Sequence, residues 1–94
     1  MKICILIPAY NEKDNIAKLI NELKPYNCDI LVVDDGSTDS TAAIAHSQGA
    51  LLIKHEARQG KGASIRDGFS FILKNNYDAV ITMDGDGQHS PQDV

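Results

Sequence analysis

The sequence lacks long apolar runs, paired cysteines and an excess of basic residues. No stretch approaches the roughly 20 apolar residues of a membrane-spanning helix, and the apolar start, MKICILIPAY, runs directly into NEKDN without a signal-peptide cleavage site. The two cysteines, Cys4 and Cys28, form no CxxC pair and no metal-ligand spacing, which fits a reducing compartment. A net charge of −4 argues against a surface that coats nucleic acid. These absences predict a cytoplasmic protein without a membrane span or a nucleic-acid partner.

What is present is the composition of one small globular domain. The chain has 94 residues, of which 43% are hydrophobic and 23% are charged. It contains no linker, low-complexity tract or internal repeat. Four of its nine basic residues lie in one short segment, at positions Lys54, Arg58, Lys61 and Arg66. Such a segment is suited to hold an anion within an otherwise acidic protein.

Apolar runs and apolar stripes alternate along the chain. Short continuous runs rich in Ile, Val and Leu predict buried strands at 3–7, 30–33, 51–53 and 79–83. Three helices are predicted between them. The first has its apolar stripe at Ile16, Leu19, Ile20 and Leu23 and ends before Pro25; the second covers about 39–47; the third has its stripe at Ile65, Phe69, Ile72 and Leu73. This alternation predicts an α/β fold with a parallel four-stranded sheet flanked by helices.

Polar and charged residues collect where the predicted strands end. The segments that follow the four strands are 8–12, 34–37, 58–62 and 84–88, and each contains acidic, basic or glycine residues. Ligands of parallel α/β sheets bind beyond the carboxyl ends of the strands. The sequence therefore predicts a functional site at this edge of the sheet.

The segment DGDG, residues 84–87, predicts a cation site. Residues i and i+2 of an extended segment face the same way, so the carboxylates of Asp84 and Asp86 can converge on one point. Two hard oxygen ligands suit Mg²⁺ or Mn²⁺, which usually also bind substrate phosphates. With Lys61 and Arg66 across the crevice, the expected ligand is a diphosphate.

A second acidic pair, Asp34 and Asp35, follows the second strand. These carboxylates are suited to accept hydrogen bonds from a base or a ribose, so a nucleoside diphosphate is the simplest ligand for the whole edge. Each motif also has a simpler interpretation, because Asp-Gly is common turn chemistry and exposed charge usually belongs to a solvated loop. His46 and His55 have no partners at metal spacing and are interpreted as surface or structural residues.

Other enzyme classes fit parts of the pattern. A P-loop is excluded because the Walker pattern requires glycine at His55 and Ser or Thr at Gly62. An EF-hand loop requires glycine at His89. A phosphatase with an aspartate nucleophile, a nucleotidyltransferase and a non-catalytic nucleotide-binding module remain open.

Four segments together, IPAYNE, VVDDGSTDST, GKGASIRDGF and MDGDGQHSPQDV, resemble the nucleotide-binding part of family 2 inverting glycosyltransferases. The last segment is most similar to the branch that makes dolichyl- or polyprenyl-phosphate sugars. The resemblance covers essentially the whole chain and implies the N-terminal, Rossmann-like half of a GT-A fold. It implies metal-dependent transfer of a sugar, with inversion, from a UDP- or GDP-linked donor to a lipid phosphate or a glycan.

The resemblance also implies roles for individual residues. The expected donor nucleotide-binding residues are Pro8, Ala9, Tyr10, Glu12, Asp34, Asp35, Lys61, Arg66, Asp84 and Gly85. The expected ligands of the divalent cation, Mg²⁺ or Mn²⁺, are Asp84, Asp86 and Gln88. The catalytic base and the acceptor-binding half have no counterpart in the chain.

The end of the chain carries a helix-start signal, with Ser90 as N-cap, Pro91 at the first helical position and Asp93 two residues later. We therefore expect residues 1–94 to be the donor-binding part of a longer protein that lies in the cytoplasm or at the cytoplasmic face of a membrane. We also expect the isolated chain to be inactive in sugar transfer.

Overall fold

The computed structural model describes residues 1–84, which form a sheet of four parallel strands with helices on both faces. In chain order the elements are β1 (Ile3–Ala9), α1 (Ile16–Leu23), β2 (Asp29–Asp34), α2 (Thr41–Ser47), β3 (Leu51–Lys54), α3 (Lys61–Lys74) and β4 (Ala79–Thr82). A short 3₁₀ helix, Lys24–Tyr26, follows α1. In this part of the chain no helix is long and apolar enough to cross a membrane. The predicted α/β fold with a parallel four-stranded sheet is confirmed.

The strand order is β3-β2-β1-β4, so β1 and β2 occupy the centre of the sheet. All three pairings are parallel, with Ala9 opposite Asp34 and Asp34 opposite Lys54 at the carboxyl ends. Because the strands are parallel, the loops that follow them all leave the sheet at the same edge. This topology places the polar segments 8–12, 34–37 and 58–62, together with Asp84, at one edge of the sheet.

The middle segments of the two central strands, 4–7 and 30–33, are apolar because both faces of the sheet are covered. One face packs against α1 and α2 through Ile5, Ile7, Ala9, Ile30 and Val32. The other face packs with Ile72 of α3 through Cys4, Leu6, Leu31 and Val33. Alternate side chains thus enter different cores, which is why the strands read as continuous apolar runs.

Helix α1 agrees with its predicted stripe, whereas α2 begins later than predicted. Ile16, Leu19, Ile20 and Leu23 are all buried, and Pro25 lies just beyond the end of α1. Helix α2 begins at Thr41 because the residues before it bond elsewhere: Ser37 Oγ accepts a hydrogen bond from the Asn11 N–H, and Asp39 accepts one from the Lys13 N–H. The loop before α2 therefore fastens the loop after β1.

The apolar stripe predicted for α3 is partly wrong. Ile72 is buried, but Phe69 is 36% exposed and Leu73 is 82% exposed. The buried face instead passes through Ser64 and Gly68, and a Cβ atom at position 68 would overlap the Leu6 side chain. Small residues let the helix approach the sheet closely, so the contact face follows them and not the largest apolar side chains.

Candidate functional site

The carboxyl edge of the sheet continues as hydrogen-bonded loops beyond the strands. The Asp35 N–H donates to the Ala9 carbonyl at 2.8 Å, and the His55 N–H donates to the Asp34 carbonyl at 2.8 Å. These bonds extend the parallel ladder past the ends of β1, β2 and β3. The loops that carry the candidate residues are thereby fixed to the sheet.

A cavity of about 220 Å³ lies at this edge, between β1, β4 and the start of α3. Its lining residues are Pro8, Lys61, Ile65, Thr82, Met83 and Asp84. Three of the expected donor-binding residues, Pro8, Lys61 and Asp84, are therefore brought together in one concave site. The Lys61 Nζ lies 2.5 Å from Asp84 Oδ1, with side-chain exposures of 67% and 27%.

The proposed cation ligands are only partly within the described chain. Asp84 lies at the cavity, and its carboxylate is of the oxygen type that Mg²⁺ and Mn²⁺ prefer. Gly85, Asp86 and Gln88 lie outside the described residues. Within residues 1–84 there is no group of three or more His, Cys, Asp and Glu side chains that could hold a metal.

Asp34 has one carboxylate oxygen that is left without a donor. The residue is fully buried, and its Oδ1 accepts hydrogen bonds from the N–H and the hydroxyl of Ser37. Its Oδ2 is buried and has no hydrogen-bond partner among residues 1–84. A buried acceptor without a donor is unfavourable, so Asp34 Oδ2 is left with an unmet hydrogen bond, whereas both oxygens of Asp35 have donors.

Asp35, in contrast, bonds to three groups of the protein. Its Oδ1 accepts from His55 Nδ1 at 2.9 Å and from the Gln59 N–H at 2.8 Å, and its Oδ2 accepts from the Gly60 N–H at 2.9 Å. Burial alone would raise the pKa of Asp35, but the hydrogen bonds from Gln59, His55 and Gly60 outweigh it and hold the pKa below its usual value. The carboxylate of Asp35 fastens the loop that leads into α3.

His55 lies between two carboxylates. Its Nδ1 faces Asp35, and its Nε2 lies 2.8 Å from Asp67 Oδ2 on α3, while only 6% of its side chain is exposed. The hydrogen bond with Asp35 raises the pKa of His55 above 6.5 against the effect of burial, and Asp67 raises it further. The sequence interpretation left surface and structural roles open for His55, and the structure makes it a structural residue. Its ionic partners were missed, although its place directly after β3, beside the residue that follows β2, was a usable signal.

Tyr10 and Arg58 form a further contact between loops. The Arg58 guanidinium carbon lies 4.2 Å from the centroid of the Tyr10 ring, a cation–π geometry. Tyr10 is half-buried. The loop after β3 thus covers the loop after β1.

Two expected donor-binding residues point to other partners. The Glu12 carbonyl accepts hydrogen bonds from the N–H groups of Asn15 and Ile16 at the start of α1, and its carboxylate accepts from the Asn15 side chain at 3.3 Å. Arg66 is exposed and lies beside Asp67, with 3.4 Å between Nε and Oδ1. Neither residue lines the cavity.

Comparison with known proteins places the chain in a family. The model of the family described as "Glycosyl transferase family 2" matches residues 4–94. A UDP-N-acetylglucosamine–dolichyl-phosphate N-acetylglucosaminyltransferase from Methanococcus voltae is 34% identical over 110 residues, which cover 98% of this chain and 44% of that protein. The chain spans less than half the length of this relative and of two Methanocaldococcus jannaschii proteins to which it is 40% and 37% identical.

Solved structures agree with this assignment. Mannosyl-3-phosphoglycerate synthase from Rubrobacter xylanophilus matches with a TM-score of 0.83 and 27% identity, over 98% of this chain and 33% of that one. Glucosyl-3-phosphoglycerate synthase from Mycobacterium tuberculosis, in complex with Mn²⁺, UDP and glucosyl-3-phosphoglycerate, matches with a TM-score of 0.73 and 27% identity, over 89% of this chain and 33% of that one. The sheet and helices are those of the Rossmann-like part of a GT-A fold. The chain belongs to glycosyl transferase family 2.

Proposed function

We propose that this chain binds the nucleoside-diphosphate sugar in a metal-dependent, inverting sugar transfer. The observation that carries the proposal is the cavity at the carboxyl edge of the sheet, where Lys61 and Asp84 lie side by side. An ammonium and a carboxylate at one concave site suit a diphosphate that is held together with a divalent cation. The M. tuberculosis relative crystallised with Mn²⁺ and UDP supports this choice of ligand.

In this proposal, different residues at the carboxyl edge of the sheet bind different parts of the donor. Lys61 would donate to a phosphate oxygen, and Asp84, with Asp86 and Gln88, would hold the cation. The buried Oδ2 of Asp34 would accept a hydrogen bond from the base or ribose, because it has no donor among the described residues. When bound, the cation would offset the negative charge that develops on the departing nucleoside diphosphate.

The acceptor in this proposal is a lipid phosphate. It is supported by the M. voltae relative, whose name gives dolichyl phosphate as its acceptor. A phosphate is already ionised at neutral pH and needs little help from a general base. We place the reaction on the cytoplasmic side because Cys4 and Cys28 are both free thiols, as in a reducing compartment.

Calorimetric titration with UDP and GDP, with and without Mn²⁺, tests the proposal. We expect binding that requires Mn²⁺ and is weakened at least tenfold by Asp84→Asn. Asp78→Asn is the matched control, since Asp78 is exposed and precedes β4 at the opposite edge of the sheet. Equal binding without metal would identify a non-catalytic nucleotide module, and hydrolysis of simple phosphate esters would identify a phosphatase.

Transfer itself is tested separately. Because the chain spans only 44% of the length of the M. voltae relative, we propose that it binds donor but does not transfer sugar alone. The assay mixes the 94-residue chain with UDP-sugar, Mn²⁺ and polyprenyl phosphate and measures labelled lipid. Robust turnover would refute the division between donor binding and catalysis.

A further inference from the structure

We propose that His55 is a positioning residue whose charged ring clamps residues 56–60 and the start of α3 against the end of β2. The clamp follows from contacts within the chain. Its effect on nucleotide affinity rests in addition on the proposed function, through Lys61.

The two ring nitrogens of His55 both face carboxylate oxygens. Nδ1 lies 2.9 Å from Asp35 Oδ1, and Nε2 lies 2.8 Å from Asp67 Oδ2. An ionised carboxylate only accepts hydrogen bonds, whereas a neutral imidazole has one donor and one acceptor. Only the imidazolium form donates to both partners, so loss of one proton places a nitrogen lone pair against a carboxylate.

The clamp reaches the candidate site through Asp35. The carboxylate held by His55 also accepts the N–H groups of Gln59 and Gly60. Gly60 is the N-cap of α3, and Lys61 at the cavity is the first residue of that helix. A change in the protonation of His55 is therefore two hydrogen bonds away from the backbone that positions Lys61.

The second arm of the clamp holds α3 from its side. Asp67 lies within α3, so the ring of His55 connects the end of β2 to the helix both at its start and near its middle. The loop has little room to relax, because a Cβ atom at Gly36 would lie 2.5 Å from the Arg58 backbone nitrogen. Because the loop is closely packed, it cannot compensate for a lost hydrogen bond by a small local adjustment, and the whole segment has to move.

Among the described residues, the charged groups at the ring come from two elements. Asp35 faces it from the turn after β2, and Asp67 faces it from α3. Arg66 contacts the other oxygen of Asp67 at 3.4 Å. The two carboxylates favour the charged ring, and the raised pKa of His55 agrees with this arrangement. The clamp is closed below that pKa and opens as pH rises through it.

The first experiment needs no nucleotide. In an NMR titration of the 94-residue chain, the histidine ring signal that is lost in His55→Asn is expected to show a pKa above 6.5. The amide signals of Gln59 and Gly60 should shift with the same midpoint. Exposed His46, replaced in His46→Gln, is the matched control and should leave both amides unchanged. A His55 pKa at or below 6.5, or amides that do not follow it, would overturn the clamp.

The second experiment measures UDP affinity in the presence of Mn²⁺ at several pH values. The side-chain NH₂ of Asn occupies the position of Nδ1 and can keep the hydrogen bond to Asp35. The NH₂ of Gln occupies the position of Nε2, so His55→Gln loses the hydrogen bond to Asp35. We therefore expect His55→Gln to weaken binding about tenfold at pH 6 and His55→Asn to weaken it less. The ratio of the variant's Kd to that of wild type should approach one at alkaline pH. Using this ratio cancels the titration of the nucleotide itself, because it affects both proteins equally.

The outcomes separate the two proposals. If wild-type chain binds no nucleotide, the proposed function fails, and the NMR titration still decides the clamp. If UDP binds equally to wild type and both variants at pH 6, the clamp has no effect on the site and the inference is refuted. Circular dichroism at each pH checks folding; if His55→Gln does not fold, the comparison of His55→Asn with wild type decides.

Discussion

Replacing Asp35 with Asn should destabilise the protein far more than the same change at the adjacent Asp34. The Asp35 carboxylate accepts hydrogen bonds from His55, Gln59 and Gly60. In either orientation, the amide of Asn places its NH₂ group against one of these donors. Breaking a buried ion pair costs about 3 to 5 kcal/mol, and we take the lower figure because Asp67 still pairs with His55.

At Asp34 the same substitution leaves the internal bonds intact. The amide oxygen can accept both hydrogen bonds from Ser37, and the NH₂ group replaces Oδ2, which has no partner among the described residues. Before the change the unsatisfied buried group is a charged carboxylate oxygen, and after it the group is a neutral amide NH₂. We expect the free energy of unfolding to change by less than about 1 kcal/mol. Affinity for a nucleotide should nevertheless fall.

Thermal and urea unfolding at pH 6, followed by circular dichroism, measures both variants. Unfolding entropy of about 2.1 cal/mol/K per residue over 94 residues corresponds to about 0.2 kcal/mol/K. A loss of about 3 kcal/mol therefore lowers the Tm by about 15 °C for Asp35→Asn. Asp34→Asn should shift it by less than about 5 °C. Equal shifts for the two variants would refute the assignment of different roles to the two aspartates.

Three further results are expected. Gly36→Ala should cost about 1 to 3 kcal/mol in urea unfolding, because Gly36 has φ +75° and abuts the Arg58 backbone; an unchanged midpoint would contradict that packing. Stability should fall as pH rises from 6.5 through the raised pKa of His55, because the folded state favours the charged ring, and again as pH falls from 3.8 through the lowered pKa of Asp35, both measured by Tm between pH 3 and 9; a His55→Asn variant with the same fall in Tm above pH 6.5 as wild type would contradict the first expectation. Asp86→Asn should remove the Mn²⁺ dependence of UDP binding in calorimetry, and retained dependence would exclude Asp86 as a ligand.

The strands of the sheet could be predicted from the sequence because each one is recognisable from its own residues. A buried parallel strand must be apolar on both faces, so β1 and β2 are visible as continuous runs. Which side of α3 packs against the sheet could not be predicted in the same way. Periodicity marks Phe69 and Leu73 as well as Ile72, whereas the buried face depends on how closely Gly68 lets the helix approach Leu6.

The location of the candidate site was also predictable, but the division of labour within it was not. Parallel strands bring their carboxyl ends together, so Asp34 and Lys61 were expected at one edge. Adjacent residues of an extended segment point in opposite directions, and this already argues against one shared role for Asp34 and Asp35. That Asp35 binds residues 59 and 60 depends on the path of a loop more than 20 positions away. No local pattern encodes it.

The close contact of Gly68 with Leu6 is a point about which a larger side chain at either position would tilt α3. Lys61 lies seven residues before this fulcrum, about 10 Å along the helix axis. A tilt of about 10° at the fulcrum would move the Lys61 end by about 2 Å, which is most of a hydrogen-bond length. Substitutions at positions 6 and 68 would therefore change the distance between Lys61 and Asp84 without changing any residue that lines the cavity.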